Sequence, residues 1–264
     1  MTKRYQLFEF EDQPWFPDFL RQNMMDFLRF SISKLGVYEP IVPLLRELLI
    51  KSEQTTILDL CSGGGGGIKG IQQLLADQMQ QPVQVILSDK FPNIPAFELI
   101  RQESGGAIDF VPEPIDATDV PGELAGCRTI FSAFHHFNPT LSRSILTDAA
   151  QKRVPIGIFE GAGKSYLEIL AALLFFPVIF FFITPFMRPF RWSRLFFTYL
   201  VPLIPLCTLW DGCVSILRLY TPQHLLQLTA AIPVKNYTWR AGKVKHKTGL
   251  KIIYLIGYPV NTEQ

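Results

Sequence analysis

The stretch "TTILDLCSGGGGGIKGI", Thr55 to Ile71, constrains the fold more than any other part of the chain. Five consecutive glycines, Gly63 to Gly67, join an apolar run ending in Asp59 to a second apolar run beyond them. Gly-rich linkers are usually flanked by polar residues, so a flexible linker does not suit this setting. Glycine at a strand-to-helix turn permits unusual dihedrals and close approach of backbone to ligand. A ligand there meets a helix N-terminus and the carboxyl ends of strands, where open α/β sheets bind.

The surrounding pattern supports such a sheet. "TTILDL", "PVQVILSD", "IDFVPEPIDA", "CRTIFSAFHHF" and "PIGIFE" read as strands, the third irregular. "GIKGIQQLLADQM", "AFELIRQES" and "LSRSILTDAAQK" read as helices between them. That alternation predicts a doubly wound α/β fold with helices on both faces. Residues 1–50 read as an amphipathic, helical N-terminal cap. Residues 51–264 form the main domain, interrupted over 165–212 by an apolar helical insertion. "TPQHLLQLTAAI" is a helix with Thr221 as N-cap and Pro222 at N1. "KNYTWRAGKV" and "LKIIYLIGYPV" close the chain as a strand pair.

Two ligands compete for the glycine turn. A dinucleotide fingerprint can be read as Gly65, Gly67 and Gly70 with Asp89 about 20 residues on. This NAD reading is cheap, because a five-glycine run satisfies many registers. The alternative frame, Asp59-x-Cys61-x-Gly63-x-Gly65, puts an acid at the strand end. A carboxylate there repels a pyrophosphate and suits a cationic or amino-bearing ligand.

The series of motifs resembles the class I S-adenosylmethionine-dependent methyltransferases. Their first motif is an acid followed by GxGxG, here "DLCSGGGGG", with Cys61 where the family usually has its first glycine. "ILSDK" puts Asp89 and Lys90 where the family holds the ribose. "PIDATDVP" puts Asp116 and Ala117 where it contacts adenine. "TIFSAFHHF", with Ser132 and Phe134, resembles the fourth motif, beside the methyl group. The closing strand pair is similar to the family's antiparallel sixth and seventh strands. A further likeness, through "FEDQPWFP", "CSGGGGG", "FHHFNP" and "WDGCVSILRLYT", is to a bacterial branch with no assigned substrate. The resemblance implies a seven-stranded Rossmann-like sheet, S-adenosylmethionine as cofactor, and cofactor contacts from Asp59, Cys61, Gly63, Gly65, Asp89, Lys90, Asp116, Ala117, Ser132 and Phe134.

A sulfonium methyl is already activated, so the protein must mainly hold a nucleophile in line and exclude water. A base is needed only where the nucleophile loses a proton. His136 and His135, at the end of the fourth strand, are candidates for base or substrate hydrogen bond, with His136 first. The bland alternative is packing under the loop and capping. Glu160, ending the fifth strand, either orients the acceptor or caps a helix or pairs with Lys164. Asp211, Arg218 and Tyr220 are candidate substrate contacts, against an Asp-Gly turn, a salt bridge and core packing. No His/Cys/Asp cluster has metal-ligand spacing, so no metal is expected.

Two uncharged runs, Ile169–Met187 and Leu195–Trp210, flank a connector carrying Arg188, Arg191, Arg194 and Trp192. A straight helix over the first spans about 28 Å, barely a bilayer core. Pro177 and Pro185 interrupt it, and Pro202 and Pro205 the second. A spanning hairpin would put three arginines opposite the cofactor's cytosolic side, against the positive-inside tendency. A monotopic insertion would set the arginines and the tryptophan at head-group level. A buried lid would need cover on nearly every face, which a homo-oligomer could supply.

The reaction expected is methyl transfer to a lipid-like or otherwise hydrophobic substrate at the cytosolic membrane face, the inner membrane if the chain is bacterial. The alternatives are a soluble small-molecule methyltransferase with the insertion as lid, a non-catalytic membrane-associated protein of this fold, and an NAD-dependent oxidoreductase. A net charge of only +2 gives no reason to expect nucleic acid. Four cysteines without CxxC spacing suit a reducing compartment. The N-terminus has no continuous apolar segment, so no secretion signal is expected.

Overall fold

The computed structural model describes residues 3–260. Its centre is one seven-stranded sheet in the order β3-β2-β1-β4-β5-β7-β6. The strands are β1 Thr56–Asp59, β2 Gln84–Leu87, β3 Ile108–Phe110, β4 Cys127–Phe131, β5 Ile156–Glu160, β6 Tyr237–Lys245 and β7 Lys251–Pro259. The first five are parallel; β7 runs antiparallel to both β5 and β6. The strand order reverses between β1 and β4, which opens a crevice at their carboxyl ends.

Period-two alternation divides the core between the two faces of the sheet. Ile57, Phe159, Ile252 and Ile256 join one cluster, while Leu58, Ile158, Ile253 and Leu255 join the other. The first cluster is covered by α2 Val42–Lys51, α3 Ile68–Met79 and α4 Ile94–Glu103 through Leu45, Leu48, Leu75, Phe97 and Ile100. The second is covered by α5 Pro139–Gln151 and α9 Pro222–Ala230 through Ile145, Leu146, Leu225 and Leu228. Thr221 caps α9, its Oγ1 accepting the His224 N–H, with Pro222 at N1.

The expected N-terminal helical cap is present from Asp18 on, but not ahead of it. Only α1, Asp18–Leu35, precedes α2 as an α-helix, and residues 3–17 form a strap without helix. The strap is held by side chains far away in sequence rather than by its own periodicity. α1 builds a third core with the insertion: Phe16, Leu20, Met24 and Phe27 pack on Phe180, Met187 and Ile204. The Phe27 and Phe180 rings stack at 3.8 Å.

The insertion comprises α6 Tyr166–Ile183, the short α7 Trp192–Leu195 with a π-turn over Phe196–Leu200, and α8 Leu203–Arg218. Pro177 does not interrupt α6; the helix runs through it. α6 ends at Ile183, just ahead of Pro185, and in the second run the expected break falls at Pro202, where α8 turns by 79° from the preceding helix, while Pro205 lies within α8. The apolar segment Tyr166–Phe186 is long enough to cross a membrane by length and composition, and it is largely unburied. Arg194, expected at head-group level, is buried and bonded to Asp26, Asn23 and the carbonyls of Met187 and Pro189. A buried guanidinium needs such partners, and Asp26 on α1 supplies the charge.

Candidate active site

The glycine turn leaves β1 and enters α3. Gly63, Gly65 and Gly67 have positive φ, and so does Cys61 at +56°. Cys61 thus adopts the left-handed conformation that a glycine at its position would take, at a cost of about 1 kcal/mol. At Gly65 the φ of +68° favours glycine, and an added Cβ would push Ile100 Cδ1 of α4 aside. Met25, Arg29 and Ile32 of α1 roof the turn over Gly63–Gly67.

Asp59 braces this turn from inside. The ladder sets it opposite Thr129, whose hydroxyl donates to its Oδ1 at 2.6 Å, while Ser62 donates to Oδ2 at 2.7 Å. Its carboxylate, expected to meet the ligand, is buried, and burial pushes its pKa up to about 7. Asp89, at the end of β2, is half-buried and raised by that burial. Its oxygens each accept one backbone N–H, from Gly63 and from Phe91, both at 2.9 Å. Phe91 is 82% exposed beside it. Asp116 pairs with Lys90 at 2.8 Å, and that hydrogen bond leads in holding its pKa down at about 2. Ala117 and Phe134, expected at the cofactor, are buried in the second core cluster. Ser132 bonds to the Tyr38 hydroxyl.

β4 stops at Phe131, because Ser132 takes a positive φ and Phe134–His136 form a 3-10 turn. The two histidines therefore lie beyond the strand rather than on its end. Glu160 does not pair with Lys164. Its Oε1 accepts the His135 backbone N–H at 2.8 Å and its Oε2 lies 2.9 Å from His135 Nδ1. Lys164 donates to Leu217 O at 2.7 Å, and burial, with Arg4 nearby, lowers its pKa to about 8. His136 Nδ1 lies 2.8 Å from Asp12 Oδ1. Burial alone would lower the His136 pKa, but the Asp12 bond and the Glu9, Asp12 and Glu11 charges raise it to about 9. A group charged near neutrality is a poor proton acceptor; Glu160 fixes the orientation of the His135 ring.

The expected substrate contacts face inward. Asp211 lies within α8 rather than in a turn, and its oxygens accept the Phe10 and Glu11 N–H groups at 2.7 and 3.1 Å. Arg218 pairs with Asp12 at 2.6 Å and Glu9 at 3.2 Å, and donates to His136 O at 3.0 Å. The Tyr220 hydroxyl donates to Phe137 O at 2.8 Å, and Arg4 stacks on its ring. These residues fasten the strap over the histidines. Glu9, Asp12, Arg4 and Phe91 were not legible as site residues. For Glu9, Asp12 and Arg4 the only signal is chemical type, since contacts more than 120 positions apart leave no spacing pattern; Phe91 is two positions from Asp89, within reach of the strand-end motif.

Where no metal cluster was expected, Glu9, His135 and His136 bring donor atoms within 4.8 Å of one another. Two cavities lie away from the glycine turn. One of about 480 Å³ runs from Thr118 along α5, and one of about 1060 Å³ lies near Lys51, Gly126 and Arg153.

No protein-family model matches the sequence, and no curated protein does. Solved structures do. An O-methyltransferase family protein from Burkholderia thailandensis is 15% identical over 90% of this chain and 60% of its own, with a TM-score of 0.48. A candidate O-methyltransferase from Nostoc punctiforme PCC 73102 is 13% identical over 97% of this chain and 64% of its own, at 0.51. The plantazolicin methyltransferase BamL, in complex with a triazolic desmethylPZN analogue and SAH, is 10% identical over 92% of this chain and 99% of its own, at 0.51. The chain thus spans less than two thirds of the length of the first two. Together with the strand order, the latter two likenesses establish that this chain has the class I methyltransferase fold.

Proposed function

We propose that this protein transfers a methyl group from S-adenosylmethionine to a lipid-like or otherwise hydrophobic acceptor at the cytosolic face of a membrane. One observation carries the chemistry. The strained glycine turn, the half-buried Asp89 carboxylate and the His135–Glu160 pair share the carboxyl edge of the sheet beside its switch point. The likeness in fold supports this reading without fixing the reaction.

The residues present fit an adenosyl sulfonium. Asp89 keeps free lone pairs for ribose hydroxyls. The exposed Phe91 ring offers an apolar face beside it, and Asp89 and Asp116 favour a cation. The cofactor, when bound, supplies an already activated methyl group. The chain's own residues orient the acceptor and keep water out. Glu160 beside Nδ1 selects the Nδ1–H tautomer of His135, which leaves the lone pair on Nε2. That lone pair can take a proton from an acceptor hydroxyl or hold an ion that acidifies it.

The outer face of the insertion supports the membrane location. Leu167, Leu174, Phe175, Phe182, Trp192 and Leu200 are all exposed, Phe182 at 74%. Apolar patches of this extent mark interaction surfaces. Both ends of α6 are tied to elements outside the insertion. Lys243 of β6 donates to Gly163 O at 2.8 Å just before its start, and Arg29 of α1 donates to Arg188 O at 2.7 Å beyond its far end. A helix tethered at both ends to one polar body suits lying along a leaflet better than crossing it.

Calorimetry with S-adenosylmethionine tests the chemistry. Binding that weakens at least roughly ten-fold in Asp89→Ala is expected. NADH binding in its place would point to an oxidoreductase. Flotation with anionic vesicles tests the location. A protein that stays with the soluble fraction is instead a soluble methyltransferase whose insertion is a lid, covered by a second copy. A non-catalytic role is favoured by one observation, the strap over both histidines. Conversion of S-adenosylmethionine to its demethylated product in the presence of lipid extract would exclude it.

A further inference from the structure

Three donor groups meet beneath the strap. His135 Nε2 lies 3.8 Å from Glu9 Oε1, and His136 Nδ1 lies 3.1 Å from Glu9 Oε2. Their side chains are 5%, 22% and, for Glu9, 0% exposed. Among the described residues, neither Glu9 Oε2 nor His135 Nε2 has a hydrogen-bond partner. Each such bare atom has given up its hydrogen bonds to water without gaining a replacement. Two of them, aimed into one spot, call for something that satisfies both at once.

We propose that Glu9, His135 and His136 bind one divalent transition-metal ion, with zinc the favoured ion. Two imidazoles and a carboxylate are a common zinc set that leaves a fourth position open. Ligands at about 2.0–2.1 Å from zinc in a tetrahedron lie roughly 3.4 Å apart. The 3.1 Å between His136 Nδ1 and Glu9 Oε2 is close to that value, and the three donor atoms lie within 4.8 Å of one another.

The outer contacts match as well. Metal-binding histidines characteristically donate their other ring N–H to a carboxylate. Glu160 occupies that position on His135, 2.9 Å from Nδ1, and also accepts its backbone N–H. Arg218 takes Glu9 Oε1 at 3.2 Å and leaves Oε2 to the ion. Asp12, 2.8 Å from His136 Nδ1, is within reach as a fourth oxygen donor. The carboxylates of Glu9, Glu11, Asp12 and Glu160 outnumber the guanidiniums of Arg4 and Arg218 by two. With neutral imidazoles, one dication balances the cluster. The competing arrangement is a proton on His136 shared among Glu9, Glu11 and Asp12, which would leave His135 Nε2 bare.

Ion binding does not depend on the methyl-transfer reading. Its use to acidify an acceptor hydroxyl does rest on that reading.

The test uses the full chain in mild detergent, stripped with a chelator and titrated with Co²⁺ and then Zn²⁺. The expected result is saturable visible Co²⁺ absorption at one ion per chain, displaced by Zn²⁺, with a rise in melting temperature. Glu9→Gln and His136→Gln should each weaken binding at least about ten-fold, and Glu160→Gln by about 10–100-fold through His135 alone. X-ray absorption on the wild-type Zn²⁺ complex should count two imidazoles, which decides the matter even where a variant fails to fold. Absent saturable absorption, fewer than two imidazoles, or unchanged affinity in folded Glu9→Gln would overturn the site. A protein that binds Zn²⁺ but not S-adenosylmethionine would keep the site and reject the proposed reaction.

Discussion

Beyond β4 the molecule buries charge, with Glu9, Arg218 and His135 almost wholly out of water; along α6 it exposes Leu174, Phe175 and Phe182. Each region inverts the usual partition, and each is costly alone. The polar cluster recovers its cost by pairing: Arg218 neutralises Glu9 and Asp12, and Glu160 holds His135. The apolar face has no counterpart within the described residues. Internal pairing therefore meets most of the first region's cost, leaving Glu9 Oε2 and His135 Nε2 bare, while the second depends on its surroundings.

The largest effect expected from breaking this contrast is on the apolar side. Leu174→Glu combined with Phe182→Glu removes two side chains worth about 1.5–3 kcal/mol each in an apolar phase. Vesicle binding measured by flotation should fall roughly 100- to 10,000-fold, with little change in melting temperature. If the melting temperature collapses instead, that face is packed against protein.

On the polar side, Arg218→Met strands Glu9 without its cation and should cost about 3–5 kcal/mol in chemical denaturation. Arg240→Met, which breaks a half-exposed pair with Glu47, should cost no more than about 1 kcal/mol. Similar losses for the two would mean that burial does not separate the pairs.

A smaller effect is expected from pH. Asp59 titrates near 7 when folded and near 4 when unfolded, so the folded chain holds the extra proton between those values. Stability should then fall as pH rises from about 4 to about 7, by no more than about 4 kcal/mol. Asp59→Asn should flatten that slope while keeping the Thr129 and Ser62 contacts; an unchanged slope would assign it to other groups. A modest effect is expected at Gly65→Ala. Left-handed strain and the clash with Ile100 predict a loss of roughly 1–3 kcal/mol in stability, and weaker binding of S-adenosylmethionine by calorimetry.

The sheet was legible in the sequence because its determinants are local. Apolar runs of period two, the glycine turn and the Thr221-Pro222 helix start each act within a few residues. The strap was not. Residues 3–17 follow no period, because Asp211, Arg218 and the histidine turn hold them in place. Asp211-Gly212 reads as a turn by local preference, yet α8 carries it, since packing on α1 and α6 outweighs that preference. Arg194 reads as a surface arginine until Asp26, 168 positions away, is found beside it. Of the candidate site, the order of the strand ends was readable, whereas the side-chain partnerships were not.

One consequence lies in how the strap is hung. Asp211 of α8 grips the N–H groups of Phe10 and Glu11, and the residues flanking that grip, Glu9 and Asp12, rest against His136 and Arg218. Four residues of chain reach at most about 14 Å. Across that distance the strap couples α8 to the histidines through static contacts. Any displacement of Asp211 would therefore bear on the turn Glu9–Asp12, whose carboxylates face the imidazoles.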